Sequence, residues 1–161
     1  MSELAPRRIL TPAPAPLGVL ADVAAGLSLV AAAIHFFVAG PHLQEWWGYG
    51  AFFIAAANAQ VLFAALIVRW PRAWLPYAGI AGNLAIITVY VITRTSGIPL
   101  GPHSRVVEEA GATDWATTAA QVGIIIALLA MLDGRPRRWI INGLLVLGVL
   151  AWVLRLTGNL Q

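Results

Sequence analysis

Five long apolar segments, separated by charged or Pro/Gly-rich breaks, fill most of this sequence. They cover about residues 17–39, 49–68, 74–93, 115–132 and 139–157. A helix needs about 20 apolar residues to cross a bilayer, and each segment has close to that number. Only 11% of the residues are charged, against about 25% in a typical soluble domain. We therefore predict one all-α integral membrane domain with five transmembrane helices, preceded by a cytoplasmic tail at residues 1–16.

The arginines around these segments predict the orientation of the chain. One side of the membrane receives most of them: Arg7, Arg8, Arg69, Arg72, Arg135, Arg137 and Arg138. Because cytoplasmic loops carry an excess of basic residues, that side is expected to be cytoplasmic, with the N-terminus inside and the C-terminus outside. The expected location is a bacterial cytoplasmic (inner) membrane. Basic residues spread through membrane-flanking loops do not indicate nucleic-acid binding.

In each of the first four segments the polar side chains form a stripe along one helical face, and each stripe extends toward the predicted outer end. The stripes contain His35 in the first segment, Tyr49 and Gln60 in the second, Asn83, Tyr90 and Arg94 in the third, and Asp114, Thr118 and Gln121 in the fourth. Unpaired polar groups are costly in hydrocarbon, so the stripes are expected to converge on an extracytoplasmic polar cup. The fifth segment has few polar residues and is predicted to be peripheral. Alternatively, Gln60, Asn83 and Gln121 only form hydrogen bonds between helices.

All three histidines lie at or just below the predicted outer face, and cysteine is absent. A His/carboxylate set without sulfur suits Cu, Zn or Fe, and His42 and Glu45 are spaced to share one side of a short helix. The predicted metal ligands are His35, His42, Glu45 and His103, with Asp114 and Gln121 as additional or supporting groups. In an unbroken helix His35 and His42 lie about 10 Å apart along the axis. One shared ion therefore requires a helix break, which we expect at Gly40-Pro41.

Two other classes of function stay open. A quinone or lipid could lie between His35, Tyr49, Tyr90, Arg94 and the pair Trp46-Trp47. An unpaired Arg94 would favour a quinone or lipid. An Arg94 paired with Asp114 or Glu108 would instead hold the predicted outer loop between the third and fourth segments over the site. Haem is less favoured, because only one histidine lies at membrane depth. The third class is an accessory subunit of a larger membrane complex, or a homo-oligomer, formed through faces of small residues.

No reaction is indicated by the sequence, so an enzymatic role stays open. The zinc-protease pattern H-E-x-x-H and the phosphate loop G-x-x-x-x-G-K are both absent. Glu108-Glu109 resembles the glutamate pair of CAAX-type membrane proteases, but Thr113 stands where an arginine is expected.

Two segments carry a resemblance to a family. They read I-H-F-F-x-A-G-P-H-L-Q-E-W-W-G-Y-G-x-F-F, from residue 34, and T-R-T-S-G-I-P-L-G-P-H, from residue 93. Over about residues 30–125 the chain resembles a group of small multi-pass membrane proteins of high-GC bacteria. Those have an early histidine, a His-x-x-Glu and an Arg-Thr-x-Gly-x-Pro loop followed by acidic residues. The resemblance implies a membrane fold and emphasises His35, His42, Glu45, Arg94, Gly97, Pro99 and Asp114, but implies no activity.

Overall fold

The computed structural model describes residues 17–156, without the side chains of residues 151, 152 and 154–156. It contains helices α1 (Leu17–Glu45), α2 (Trp47–Arg69), α3 (Leu75–Thr95), α4 (Ala112–Met131) and α5 (Gly134–Leu156), and no strand among these residues. The all-α prediction is confirmed. Helices α1 to α4 are long and apolar enough to cross a membrane. The predicted tail at 1–16 and the last residue of the fifth predicted segment lie outside the described residues.

The four apolar helices pack as a bundle. Helix α1 packs along α2 and α4, α3 packs along α4, and α2 touches α3 more lightly. The α1 surface in these contacts consists of small residues, including Ala24, Ala31 and Ser28, all with no exposed surface. Such small faces let membrane helices approach closely and gain dispersion contacts. Larger side chains, among them Ile124 and Leu128 of α4, fill the core between the helices.

Helix α1 continues past Gly40-Pro41 to Glu45, so the expected break there is wrong. Pro41 lies close to the helix end and is exposed, so its ring and its missing N–H disturb little packing. The chain turns one residue after α1, at Trp46, which has an extended backbone (φ −164°, ψ 134°). His35 and His42 therefore lie on one face of a continuous helix, about two turns apart.

The outer surface of the bundle is apolar, as a lipid bilayer environment requires. Phe37, Leu62 and Ile126 are among its most exposed large side chains. Exposed tryptophans lie at both ends: Trp47 and Trp115 at one, and Trp70, Trp74 and Trp139 at the other. Amphipathic indole rings prefer the two membrane–water interfaces, so these positions agree with helices that span a bilayer.

Helix α5 follows α4 after a connection of residues 132–133, and its first residue, Gly134, has a positive φ of 62°. Near its start, Ile140 and Leu144 pack against the core of the bundle. Beyond them, Leu145, Val146 and Leu147 are all exposed, on successive sides of the helix. The fifth transmembrane span and its peripheral position stay predictions.

Candidate functional site

A cavity of about 400 Å³ lies at the end of the bundle where α1 meets α2 and where the α3–α4 loop (residues 96–111) begins and ends. We call it the cup cavity. Its polar lining consists of His35, His42, Tyr49, Tyr90, Thr93, Arg94, Glu108, Thr113, Asp114, Thr117, Thr118 and Gln121. Its apolar lining includes Ile34, Val38, Trp46, Phe52, Phe53, Ile86, Val89, Ile98 and Leu100. Helices α1 to α4 and the α3–α4 loop all contribute.

The deepest polar contact of the cup cavity joins α1 to α4. His35 is 3% exposed and Gln121 is 1% exposed, and the Nε2 atoms of the two side chains are 3.4 Å apart. An amide nitrogen can only donate, so in this contact His35 Nε2 takes the part of the acceptor, as it does in the tautomer protonated on Nδ1. The neutral imidazole is thus already engaged by a protein donor.

His42 is held in a different way. Its Nδ1 lies 2.8 Å from the carbonyl oxygen of Val38, one turn earlier in α1. A carbonyl only accepts, so Nδ1 carries a proton, and in the neutral ring Nε2 is the nitrogen left with a lone pair. The His42 ring also packs on Phe53, with 4.5 Å between ring centroids, and the His35 ring lies 5.8 Å from the same Phe53 ring. One phenyl group therefore contacts both histidines.

Arg94 is paired twice at the rim of the cup cavity. Its Nη1 donates to Glu108 Oε2 at 2.5 Å and its Nη2 donates to Asp114 Oδ2 at 2.7 Å. Its buried Nε is without an acceptor among the described residues. Two carboxylates against one guanidinium leave the cluster with one net negative charge. Because Glu108 belongs to the loop and Asp114 to the first turn of α4, Arg94 joins both to the end of α3.

The α3–α4 loop folds over the cup cavity. Gly97 and Gly101 have positive φ angles of 67° and 76°, which glycine adopts without steric cost. A second fastening point is the Tyr49 hydroxyl, which donates to the Leu100 carbonyl at 2.7 Å. Ile98 and Leu100 thereby become part of the cavity wall.

The structure divides the four predicted metal ligands into two groups. His35 and His42 line the cup cavity, whereas Glu45 and His103 do not. Instead, His103 Nδ1 and Glu45 Oε1 are 2.7 Å apart, with 59% and 36% of the two side chains exposed. Among the residues that the structure describes, no group of three or more His, Asp or Glu could hold a metal ion.

Of the supporting residues that we predicted, Tyr49, Tyr90, Arg94, Asp114 and Gln121 line the cup cavity, and Gln60 and Asn83 do not. Gln60 Nε2 donates to Asn83 Oδ1 at 3.0 Å. The Ser28 hydroxyl lies 3.0 Å from the backbone carbonyl oxygen of Gln60 and also contacts the Gln60 side-chain Oε1. This chain links α1, α2 and α3 deeper in the bundle. Gln60 and Asn83 border a second, smaller cavity of about 270 Å³ between α2 and α3.

Sequence reasoning did not single out several residues of the cavity wall. Phe52, Ile86 and Val89 carry no sequence signal, because an apolar side chain facing a cavity looks the same as one facing lipid. Thr117, which is buried, donates to the Thr113 carbonyl at 2.8 Å. Its position beside Thr118 in an apolar helix was a detectable signal.

Comparisons of the chain with protein-family models, with curated proteins and with solved structures gave no match. The fold and the cavity therefore define its class: an all-α protein with four helices able to cross a bilayer and a mixed polar and aromatic cavity at one end of their bundle. The resemblance to small membrane proteins of high-GC bacteria stays a prediction.

Proposed function

We propose that this protein binds a ring-bearing amphipathic molecule of the quinone class in the cup cavity, at the extracytoplasmic face of a bacterial cytoplasmic membrane. The observation that carries the proposal is the cavity itself, about 400 Å³ in volume. Small-molecule sites have about 300–1,000 Å³ and mostly apolar and aromatic walls with a few placed polar groups. The cup cavity has these properties, and it opens at the end of a bundle whose helices suit a bilayer.

The aromatic walls favour a planar ring. Trp46, Tyr49, Phe53 and Tyr90 all line the cavity, and Trp46 and Tyr49 already form an edge-to-face pair with ring centroids 4.9 Å apart. A ligand ring adds offset or edge-to-face contacts of the same kind, each worth about 0.5–1.5 kcal/mol beyond the buried area. The flanking apolar side chains then surround the ring and exclude water.

Arg94 is paired in the structure, so the quinone proposal does not draw on an unpaired guanidinium, which would have favoured a quinone or lipid. The pairing does favour a neutral head group over an anionic one. Both terminal nitrogens of the guanidinium are bound by carboxylates, and the cluster keeps one net negative charge. A phosphate or carboxylate would have to displace Glu108 or Asp114 and would be repelled by the other. In this role Arg94 holds the loop over the ligand and does not contact the ligand's charge.

A transition metal, Cu, Zn or Fe, is the second candidate. Its favouring observation is the Nδ1 bond from His42 to the Val38 carbonyl, since metal-bound histidines commonly donate their other nitrogen to a backbone carbonyl. The continuous α1 counts against it, because His35 and His42 are two turns apart and Zn–N bonds are only about 2.0–2.1 Å long. Haem has even less support from these positions.

The test compares three untagged proteins purified in mild detergent: wild type, Thr118→Phe and Ala119→Phe. Thr118 lines the cup cavity, whereas Ala119 is exposed on the same helix. Solvent extraction with mass spectrometry should find a ring-bearing molecule at about one per chain in wild type and Ala119→Phe, and much less in Thr118→Phe, whose ring fills the ligand volume.

The other outcomes discriminate between the three functions. A stoichiometric metal in elemental analysis, with no organic ligand, would replace the quinone proposal with the metal one. Stoichiometric partner subunits with an empty cavity would indicate an accessory role. A well-folded wild type that carries no ligand, and takes up none when quinone is added, would refute the proposal.

A further inference from the structure

We infer that the cup cavity selects a head group that donates a hydrogen bond, such as a phenol or the hydroquinone form of a quinone, and that His42 Nε2 is the acceptor. This inference rests on the proposed function, because it assumes a ring-bearing ligand in the cup cavity. It goes further by specifying which polar end of such a ligand is recognised and by which atom.

Most of the protein's own donors around the cavity are already committed, and Arg94 Nε, which has no acceptor among the described residues, is itself buried. The Arg94 terminal nitrogens donate to Glu108 and Asp114, the Tyr49 hydroxyl donates to the Leu100 carbonyl, and Gln121 donates to His35. A ligand carbonyl can only accept, so it would have to compete for one of these bonds or accept from a hydroxyl that is still free. The hydroxyls of Tyr90 and Thr118 also line the cavity, and each can donate or accept.

The acceptor side is different, because a lone pair is left over. The proton of His42 is fixed on Nδ1 by the Val38 carbonyl at 2.8 Å, which leaves the Nε2 lone pair without a protein donor among the described residues. The net negative charge of the Arg94 cluster acts in the same direction. It repels the partial negative charge of a carbonyl oxygen and attracts the partial positive charge of a hydroxyl hydrogen.

The direction of that lone pair is fixed before the ligand arrives. The Val38 bond holds one edge of the His42 ring and the Phe53 ring covers its face, with 4.5 Å between centroids. A held acceptor loses little conformational entropy when it binds, so its hydrogen bond discriminates better than that of a mobile side chain. Phe53 also provides an apolar surface on which a ligand ring can lie.

A matched pair of probes isolates the donor: 4-heptylphenol and 4-heptylanisole. They share ring and tail and differ only in O–H against O–CH₃. Binding is followed by tryptophan fluorescence in detergent and corrected for micelle partition with the Thr118→Phe variant. We expect wild type to bind the phenol about tenfold more tightly, the effect of one well-placed neutral hydrogen bond.

The variants His42→Phe and His103→Phe locate the acceptor. In His42→Phe the preference should fall to about twofold or less, since the ring remains and the lone pair is gone. In His103→Phe it should stay about tenfold, because His103 does not line the cup cavity. His42→Gln keeps a side-chain acceptor and should retain part of the preference, which gives a second comparison if His42→Phe does not fold.

The results separate this inference from the proposed function. Equal binding of the phenol and the anisole by wild type would overturn the inference while the proposed function stands. The absence of binding by both probes would count against the proposed function itself. Heptyltrimethylammonium is a cation without a donor, and if it binds as tightly as the phenol, selection is by charge and the inference is wrong.

Discussion

The middle of the bundle and its cup end contain the same kinds of polar side chain in opposite situations. In the middle, Ser28, Gln60 and Asn83 are nearly fully buried and bonded to one another across three helices. At the cup end, His42 and Thr117 bond to the backbone of their own helices and a cavity of about 400 Å³ remains beside them. Polar side chains that the protein does not use to join helices are thus the clearest signs of a ligand site, while His35 and Gln121 join α1 to α4 and line the cavity as well.

The two regions also differ in what holds them together. Small residues and interhelical amides fix the middle, whereas a loop fastened at Arg94 and Tyr49 closes the cup end. If this distinction is right, changes in the loop should alter ligand binding and leave bundle stability nearly constant. Changes in the amide chain should do the reverse.

The largest effect on the loop is expected from Gly97→Ala. Gly97 has a φ of 67°, and an added Cβ would lie 2.5 Å from the Arg105 carbonyl carbon and 2.6 Å from the Val106 oxygen, both backbone atoms. Left-handed backbone costs an L-residue about 1–2 kcal/mol before that clash is counted, so the loop should open. Trypsin cleavage after the exposed Arg105, followed by mass spectrometry, should become at least about tenfold faster.

Gly111→Ala is the matched control for that change. Gly111 belongs to the same loop but has a φ of −96°, and an added Cβ would be 3.6 Å from Asp114 Oδ2, an ordinary contact. Cleavage should change by less than about threefold, since only a helix-capping preference is affected. Equal effects of the two substitutions would show that the conformation at Gly97 does not hold the loop.

A smaller effect, confined to bundle stability, is expected from Gln60→Leu. This change removes the side-chain partner of Asn83 and the Oε1 contact of Ser28, whereas the Ser28 hydroxyl keeps the backbone carbonyl of residue 60. Interhelical hydrogen bonds in membranes are worth on average about 0.6 kcal/mol and at most about 1.7. Unfolding in mixed detergent should show a loss of about 1 kcal/mol, with unchanged affinity for 4-heptylphenol. Asn58→Leu is the control, because Asn58 is exposed and bonds only to Ile54 of its own helix. A Gln60→Leu variant with intact stability but weakened binding would abolish the distinction between the two regions.

The smallest effect is expected from Glu108→Gln, compared with Glu109→Gln. Glu108 is paired with Arg94, whereas Glu109 has no ion pair among the described residues. The Glu108 side chain is 44% exposed, so its pair contributes about 0.2–1 kcal/mol. Glu108→Gln should therefore speed cleavage after Arg105 up to about fivefold, and Glu109→Gln should leave it unchanged. Identical rates for the two variants would mean that Arg94 does not fasten the loop through Glu108.

Helical periodicity was sufficient to predict the all-α fold and the faces that become buried. The side chains at most 4% exposed include four that the sequence placed on these stripes: His35, Gln60, Asn83 and Gln121. Periodicity works here because a polar side chain that faces lipid can bond only to the backbone of its own helix, as Asn58 does to Ile54, so most larger polar groups face the interior.

The sequence was less informative about breaks and partners. The rule that proline breaks helices failed at Pro41, because one lost hydrogen bond near an exposed helix end does not outweigh the packing of α1. Pairing across the loops, as in Glu45 with His103, depends on the fold of residues 96–111. That fold follows from positive φ angles at Gly97 and Gly101, which spacing alone does not predict.

The most direct test of the central claim is photo-labelling of the purified protein with a quinone analogue that carries a diazirine on a short tail. Peptide mapping should place the label on residues 34–42 of α1 and 113–121 of α4, and unlabelled ligand should compete for it, because these segments contribute to the wall of the cup cavity. Label spread over lipid-facing positions such as Leu62 and Ile126, without competition, would contradict the claim that the cup cavity is a ligand site.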